Sequence, residues 1–558
     1  MIKNLIVSLL LILPAFMETA GKAKKDVKGI ITVITYDKTG KQMHKGYGFF
    51  ISDKGNALSA YEFFNGASRA EIVDSRGKKW NVKRIQGASD IYDIVKFSTD
   101  CEKSEALPLA SATTPKGSTV TRFMSDGKGG LVTVEANVVD NKTYDKLAYY
   151  TLSSKADNQS IGTPVLDAKG KVIGVMQKNA EKDLTKCFAI DIAVEKLLAT
   201  SAISAGLSSL NSIYIPKQLP SDTSQAASYL YLLSKNAQDT VSYLTALADF
   251  RATFPELPTA YVEHAAFAAG QKNFTEAEAD YNEAFKAVKN QAEVHYNFSK
   301  LLYRLNLYKS YEKYKDWDLN KALDEAKQAY SISPLPIYKL QQGDCYYALK
   351  QYQEAFNAYQ ELNSTPFASA QTFYYAAKSR EMWDNDTTAV LALLDSTMAR
   401  FKEPYQRDAG PFLLQRAQIR SKYGKYREAA IDYDAYEKLF GTKNLNDNFF
   451  YMKEQTDLAA GLYPWALSDI EKALAIRPDE YLYVVEKAML QLRVGNLEEA
   501  IFGANQALKL DPEGADAYKI LGIAYGQQKG KKNEALNYLR KAKELGDPQV
   551  DEWIEKLK

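Results

Sequence analysis

The chain has 558 residues, and 71 Lys and Arg against 69 Asp and Glu leave a formal net charge of +2. This length exceeds what a single hydrophobic core organises, so it predicts several domains. The near-neutral balance gives no field that favours nucleic acid or an anionic membrane surface, and we predict neither as a partner.

The first 23 residues have the layout of a secretory signal peptide. Lys3 precedes a nine-residue, mainly apolar run from Leu5 to Leu13, and Pro14 and small residues follow it. A membrane-spanning helix needs about 20 apolar residues, so this run predicts a cleaved signal rather than an anchor. We therefore expect an exported protein, periplasmic or extracellular in a bacterial envelope, with no membrane span after cleavage.

Short apolar runs alternate with turn sequences from residue 26 to about residue 200. Examples are GIITVITYD, GYGFFIS, IVKFST and KVIGVMQ, with Gly-containing turns at 74–77 and 126–130. Runs of this length and spacing predict an all-β barrel or sandwich.

Four landmarks of this segment resemble, in order, those of trypsin-like serine proteases of the bacterial periplasmic Deg type. Residues 47–67 are similar to the strands that lead to the catalytic His, and residues 90–97 to the segment that carries the triad Asp. Residues 156–175 are similar to the segment around the nucleophilic Ser, and residues 188–198 to the last strand and closing helix. The resemblance implies two β-barrels with an active-site cleft between them.

The resemblance also places substituted residues at the catalytic positions. The His position falls on Glu62 and the Asp position on Asp93. The Ser position, three residues before Pro164, falls on Ile161, and Gln159 occupies the oxyanion-hole Gly position. A solvated carboxylate is a far weaker base than imidazole at neutral pH, and an isoleucine side chain has no nucleophilic atom. We therefore predict a pseudoprotease without enzymatic activity.

The alternative is a trypsin-like serine endopeptidase in which Ser160 acts as a displaced nucleophile. It would need another base, and the three histidines, His44, His264 and His295, lie outside the motif. No second His or Cys lies three or four residues from His264 or His295, so we predict packed side chains rather than metal ligands there. We predict no cofactor.

The three cysteines, Cys101, Cys187 and Cys345, follow no spacing pattern. Their odd number favours buried free thiols, and a disulfide between Cys101 and Cys187 is the alternative in an oxidising compartment.

Residues 201–224 are rich in Ser and contain Pro216 and Pro220, which predicts a linker. The apolar run from Ile213 to Ile215 is expected to pack in part.

Residues 225–548 repeat a pattern with a period near 34 residues. Ala466 precedes Ala500 by 34 residues, and Pro478 precedes Pro512 by the same interval. The pattern resembles that of tetratricopeptide repeats, which are stacked helix pairs. Residues 549–558 predict a capping helix. The whole chain is thus predicted to be multidomain, an all-β trypsin-like double barrel followed by an all-α tetratricopeptide solenoid.

The predicted function is an exported scaffold that binds a protein or peptide through the solenoid. A clamp for acidic C-terminal tails is not supported, because Lys519 is followed by Ile523 where that class of repeat has Asn. In the alternative, the repeats recruit substrate for the endopeptidase. The sequence leaves the partner's identity and the oligomeric state open.

Overall fold

A computed structural model describes residues 28–181, 183–235, 240–308 and 314–557. The chain divides into two compact units, Met1–Asn290 and Gln291–Lys558. The predicted signal peptide, 1–23, lies outside the described residues. Within the described ranges, no helix is both long and apolar enough to cross a membrane.

The first six strands close into an antiparallel barrel in the order β1-β2-β3-β6-β5-β4. In β1, Ile31 and Val33 point inward and are each 1% exposed, as the alternation of the sequence predicts. The strands are β1 Ile30–Tyr36, β2 Gln42–Phe50, β3 Asn56–Ser59, β4 Arg69–Val73, β5 Lys79–Ser89 and β6 Ile94–Thr99.

The next six strands close into a second antiparallel barrel in the order β10-β11-β12-β9-β8-β7. They are β7 Thr119–Ser125, β8 Leu131–Tyr144, β9 Leu147–Leu152, β10 Pro164–Leu166, β11 Val172–Gln177 and β12 Cys187–Asp191. Cys101 lies in the core of the first barrel and Cys187 in that of the second, both as buried free thiols. The predicted double barrel is confirmed.

Part of segment 201–224 completes the first barrel. A single helical turn, α1 (Ser208–Asn211), is followed by Ile213 and Ile215, which are buried in the barrel core. The amide of Ile85 in β5 donates to Pro216 O, and Gln218 N donates to Ile85 O. The chain therefore leaves the barrel along the edge of β5.

The first unit ends with four helices, α2 Thr223–Ser234, α3 Thr240–Thr253, α4 Thr259–Gly270 and α5 Phe274–Ala287. The side chain of Asp222 caps α2 by accepting from Gln225 N. The guanidinium of Arg84 in β5 donates two hydrogen bonds, of 2.7 and 2.8 Å, to the carboxylate of Asp249 in α3. This bidentate pair joins the helices to the first barrel.

The second unit consists of helices in the described residues. They are α6 Gln291–Tyr308, α7 Leu319–Ile332, α8 Pro336–Ala348, α9 Tyr352–Asn363, α10 Ala370–Trp383, α11 Thr387–Met398, α12 Gly410–Lys422, α13 Tyr426–Phe440, α14 Asp447–Ala459, α15 Tyr463–Ile476, α16 Tyr481–Arg493, α17 Leu497–Leu510, α18 Ala515–Gly526, α19 Lys532–Glu544 and α20 Asp551–Leu557. Helices α15 and α17 start 34 residues apart, as do α16 and α18.

Small residues allow close approach within helix pairs. A Cβ at Gly522 in α18 would lie 2.6 Å from Leu539 Cγ in α19. Gly461 and Gly495, with φ of 75° and 83°, follow the ends of α14 and α16 in a conformation that favours glycine. These features agree with the predicted tetratricopeptide-like repeats, and α20 lies where the capping helix was predicted.

Candidate active-site cleft

Glu62 and Asp93, at the predicted His and Asp positions, are neighbours in the first barrel. Glu62 lies in the single 3-10 turn Tyr61–Phe63 that follows β3, and its backbone N donates to Asp93 Oδ1 at 2.8 Å. Asp93 directly precedes β6 and has a φ of 47°, in the left-handed region that residues with a Cβ rarely occupy. The backbone is thus held in an uncommon conformation where the family has its triad Asp.

The Asp93 carboxyl has an altered acidity. Burial raises its pKa to about 6, and the charge of Glu62 adds to the increase, whereas the Glu62 amide and Lys178 oppose it. A carboxyl group that titrates near neutral pH can accept or donate a proton in that range. The Asp93 carboxyl is therefore closer to this range than an ordinary Asp carboxyl.

Lys178 connects Glu62 to the second barrel. It follows β11, and its Nζ lies 3.0 Å from Glu62 Oε2. The two side chains are 58% and 33% exposed, so the ion pair lies at the open edge of the cleft. Sequence analysis missed Lys178, because no local pattern shows that the end of β11 faces residue 62.

Ser160, the predicted displaced nucleophile, lies in the 3-10 turn Asn158–Ser160 and is fully buried. Its hydroxyl donates to Asp157 O at 2.9 Å and accepts from Arg122 Nη2 at 3.1 Å. Among the residues that the structure describes, no His or carboxylate side chain forms a hydrogen bond with Ser160 Oγ. Ser160 is therefore not joined by a hydrogen bond to Glu62 or Asp93.

Arg122 supports the loop that carries Ser160. It is fully buried in β7, and its Nη1 donates to Lys155 O at 2.9 Å and to Cys187 Sγ at 2.8 Å. Sequence analysis missed this residue as well. The signal was available, because Val120 and Arg122 share the inward face of β7 by the two-residue alternation of a strand.

Ile161 and Gln159 differ in exposure. Ile161 is 3% exposed and lies in the protein interior. Gln159 is exposed. Its backbone N–H, at the predicted oxyanion-hole position, donates to Asp157 Oδ1 at 3.0 Å. Gly162, with φ of 79°, lets the loop touch the first barrel, since a Cβ there would lie 2.4 Å from Tyr47 O.

Residues 46–175 match the family model of the trypsin-like peptidase domain. The matched range contains Glu62, Asp93, Ser160 and Ile161, and it ends before Lys178. None of the curated proteins compared with the chain matches it.

The chain is also similar in fold to solved protease structures. A serine endoprotease from Yersinia pestis has 16% identity and a TM-score of 0.28, over 31% of this chain and 62% of that one. The active form of the Rv3671c protease from M. tuberculosis has 15% identity and a TM-score of 0.28, over 35% of this chain and 84% of that one. The HtrA-type protease AlgW with a tripeptide has 14% identity and a TM-score of 0.28, over 31% of this chain and 59% of that one. The chain thus spans less than two thirds of the Yersinia protein.

The prediction of a pseudoprotease without enzymatic activity is contradicted by the family match, because the matched family is one of peptidases. Substitutions at positions 62 and 161 do not by themselves establish inactivity. Asp93 remains at the triad Asp position, and burial raises the pKa of its carboxyl to about 6. We withdraw the classification as a non-enzyme.

Proposed function

We propose that this chain is an exported protein that binds peptide or protein segments, through its helical repeats and through its trypsin-like cleft. The observation that carries the proposal is the Glu62–Lys178 ion pair, which connects the two barrels and stays partly exposed. An exposed pair contributes about 1 kcal/mol or less, so an incoming polypeptide can replace it at little cost. Once the pair is separated, Lys178 can bind acidic groups of the polypeptide and Glu62 can bind basic groups.

Binding to fluorescein-labelled casein, an unfolded polypeptide, tests this proposal by fluorescence anisotropy with residues 24–558. We expect saturable binding that Lys178→Glu weakens about fivefold. The substitution removes the Lys178 ammonium group, which would bind acidic groups of the polypeptide, and places a second carboxylate beside Glu62. Lys128→Glu, an exposed charge reversal in the β7–β8 turn, is the matched control and is expected to leave the affinity unchanged. Absence of saturable binding, or equal losses in both variants, contradicts the proposal.

Hydrolysis of the bound polypeptide is the second candidate function, and the family match over residues 46–175 favours it. In a serine-type reaction, Ser160 Oγ attacks the carbonyl and gives its proton to a base. Ser160 must first leave Arg122 and Asp157, its partners in this structure. In a carboxyl-dependent reaction, the Asp93 carboxylate takes a proton from a water molecule whose oxygen attacks the carbonyl carbon. It gives this proton to the amine nitrogen as the C–N bond breaks, so Ser160 is not required.

Cleavage of the same casein, together with intact mass after exposure to a fluorophosphonate probe, separates these mechanisms. Labelling and cleavage that disappear in Ser160→Ala but persist in the exposed control Ser153→Ala identify the serine-type reaction. Cleavage that persists in Ser160→Ala and disappears in Asp93→Asn identifies the carboxyl-dependent one. Wild-type protein that neither cleaves nor is labelled contradicts this second function and leaves the binding proposal to its own test.

A further inference from the structure

A carboxylate in the second unit lies among tyrosines. Asp344 in α8 accepts a hydrogen bond of 2.7 Å from the hydroxyl of Tyr359 in α9. The contact depends on the preceding glycine, since a Cβ at Gly343 would lie 2.6 Å from Tyr359 Cε1. The ring of Tyr359 therefore lies directly against α8 and fixes one oxygen of the carboxylate.

Within the part of the chain that the structure describes, Asp344 has no ion-pair partner, unlike Asp432 and Glu381. Asp432 binds Arg416 and Arg420, and Glu381 binds Lys378 and Lys422. For Asp344, no Lys, Arg or His nitrogen of the described residues lies within 4.0 Å of the carboxylate oxygens. Burial raises its pKa to about 6, opposed only by the Tyr359 hydrogen bond. At neutral pH its charge is therefore mostly present, and within the described ranges it has no ion-pair partner.

The charge of Asp344 acts on two tyrosines of α6, and a third tyrosine ring lies near Tyr359. Tyr296 and Tyr303 lie on one face of α6, seven residues apart, and burial followed by the charge of Asp344 raises the pKa of both hydroxyls. The ring of Tyr375 in α10 lies 5.3 Å from that of Tyr359. We refer to these residues as the Asp344 site, which consists of Asp344, Tyr296, Tyr303, Tyr359 and Tyr375.

The Asp344 site is open to solvent in part. Tyr359 is 2% exposed and forms the floor, whereas the other four residues of the site have intermediate exposure. The site combines residues of α6, α8 and α10, the first helices of three successive pairs, with Tyr359 of α9. A ligand that lies across these helices therefore meets a carboxylate and several aromatic rings together.

We propose that the Asp344 site binds the cationic side chain, Lys or Arg, of a peptide ligand. The proposal rests on the proposed function and names the ligand chemistry for its helical part. A cation is attracted both by the carboxylate and by the faces of aromatic rings, and the attraction grows where water is partly excluded. An anionic group is repelled by the same carboxylate, so the site discriminates between the two charges.

Anisotropy with fluorescein-labelled hexapeptide pools tests the site on the chain 24–558. Each pool fixes one residue, Lys, Arg, norleucine or Glu, at one position and varies the others. We expect the best Lys or Arg pool to bind about tenfold more tightly than the norleucine pool at the same position, and the Glu pool most weakly. Asp344→Asn is expected to remove the preference, and Glu354→Gln, an exposed carboxyl change on α9, is expected to keep it.

A pair of variants at Tyr303 gives an independent measurement. Tyr303→Phe keeps the ring and should keep the preference, whereas Tyr303→Leu removes the ring and should lower it about threefold. If Asp344→Asn reduces the folded fraction measured by circular dichroism, the charge preferences of Tyr303→Phe and Tyr303→Leu test the site instead, and equal preferences in these two variants contradict it. Pools that bind without charge preference, or a preference that survives Asp344→Asn in folded protein, overturn the cation site alone. Absence of binding by every pool overturns this site and peptide binding by the repeats together.

Discussion

Arg122 in the second barrel and Lys453 in α14 are both buried cations, but their partners differ. Arg122 donates to a backbone carbonyl, a thiol and a hydroxyl, all of them neutral groups. Lys453 Nζ lies 2.7 Å from Asp434, 2.7 Å from Glu437 and 3.2 Å from Asp469. In the helices this buried cation is surrounded by carboxylates, whereas in the barrel the buried cation binds neutral groups.

The difference separates two uses of a buried charge. The acids around Lys453 come from α13 and α15, on either side of α14, so the network joins three successive helices. Arg122 instead holds one loop, which carries Ser160 at the cleft. Removal of Lys453 leaves charged groups buried, whereas removal of Arg122 leaves only neutral acceptors unpaired, and these have different costs.

The largest effect is expected for Lys453→Met. The buried Glu437 and Asp469 and the partly exposed Asp434 lose this cation, whereas Lys472 stays 2.8 Å from both Glu437 and Asp469. Breaking a buried pair typically costs about 3–5 kcal/mol, and the contacts that Lys472 keeps place the expected loss at the lower end, about 3 kcal/mol. Urea unfolding monitored by circular dichroism should show this loss in the free energy of unfolding. Hydrogen exchange should place it in α13 to α15. Lys443→Met, an exposed lysine of the same region, is the control, and equal losses in both variants would contradict the network.

A smaller effect is expected for Arg122→Met. The acceptors left unpaired are neutral, so we expect a cost of about 1–3 kcal/mol. Hydrogen exchange should increase in residues 157–163, where Arg122 supports the turn, and Arg76→Met is the exposed control. A loss as large as that of Lys453→Met would break the comparison, because it would mean that Arg122 has a charged partner.

Sequence patterns predicted the fold where a local period repeats. The alternation in β1 arises within one strand, and the 34-residue interval between α15 and α17 relates two successive helix pairs. Both are regular periods along the chain, so both could be recognised from the sequence alone. Segment 201–224 was predicted as a linker with partial packing. Its role in the first-barrel core depends on Ile213 and Ile215 meeting β5, a tertiary contact that no local pattern contains.

The cleft could be predicted only as far as the family motif extends. The motif located Glu62 and Asp93, and the structure confirms that they are neighbours. It could not indicate Lys178, which meets Glu62 through the closure of two barrels. Nor could it indicate the pKa of Asp93, because that value follows from burial. The error about enzymatic activity arose at this point, where residue identity was used without its surroundings.

Acidification sharpens the comparison, because the helices also bury acids without a cation. Glu454 in α14 is fully buried, and burial raises its pKa to about 8, with Glu486 and Asp469 adding to the increase and Gln455 opposing it. The unfolded value is about 4.3, so between pH 4.3 and 8 the folded state holds a proton that the unfolded state lacks. The free energy of unfolding should therefore decrease as pH rises through this window.

The slope for Glu454 is at most about 1.4 kcal/mol per pH unit. Glu437, whose pKa the nearby lysines hold at about 2, has the opposite dependence, but only below about pH 4.5, so pH 5 to 8 avoids it. Urea unfolding at several pH values tests this, and Glu454→Gln should flatten the curve. An unchanged slope in Glu454→Gln would assign the effect to another group, such as Asp457, whose pKa burial raises to about 8.

The smallest effect on stability is expected for the Glu62–Lys178 pair, because Lys178 is an exposed cation whereas Arg122 and Lys453 are buried. Its side chains are 58% and 33% exposed, so Lys178→Met should change the free energy of unfolding by less than about 1 kcal/mol. The effect of the pair on the pKa of Asp93 should be easier to measure, because the charge of Lys178 lowers the pKa of that carboxyl and the charge of Glu62 raises it. Carboxyl carbon chemical shifts should then show a higher Asp93 pKa in Lys178→Met and a lower one in Glu62→Gln. Shifts in the same direction would mean that burial changed rather than charge, and that this pair does not tune the acid of the cleft.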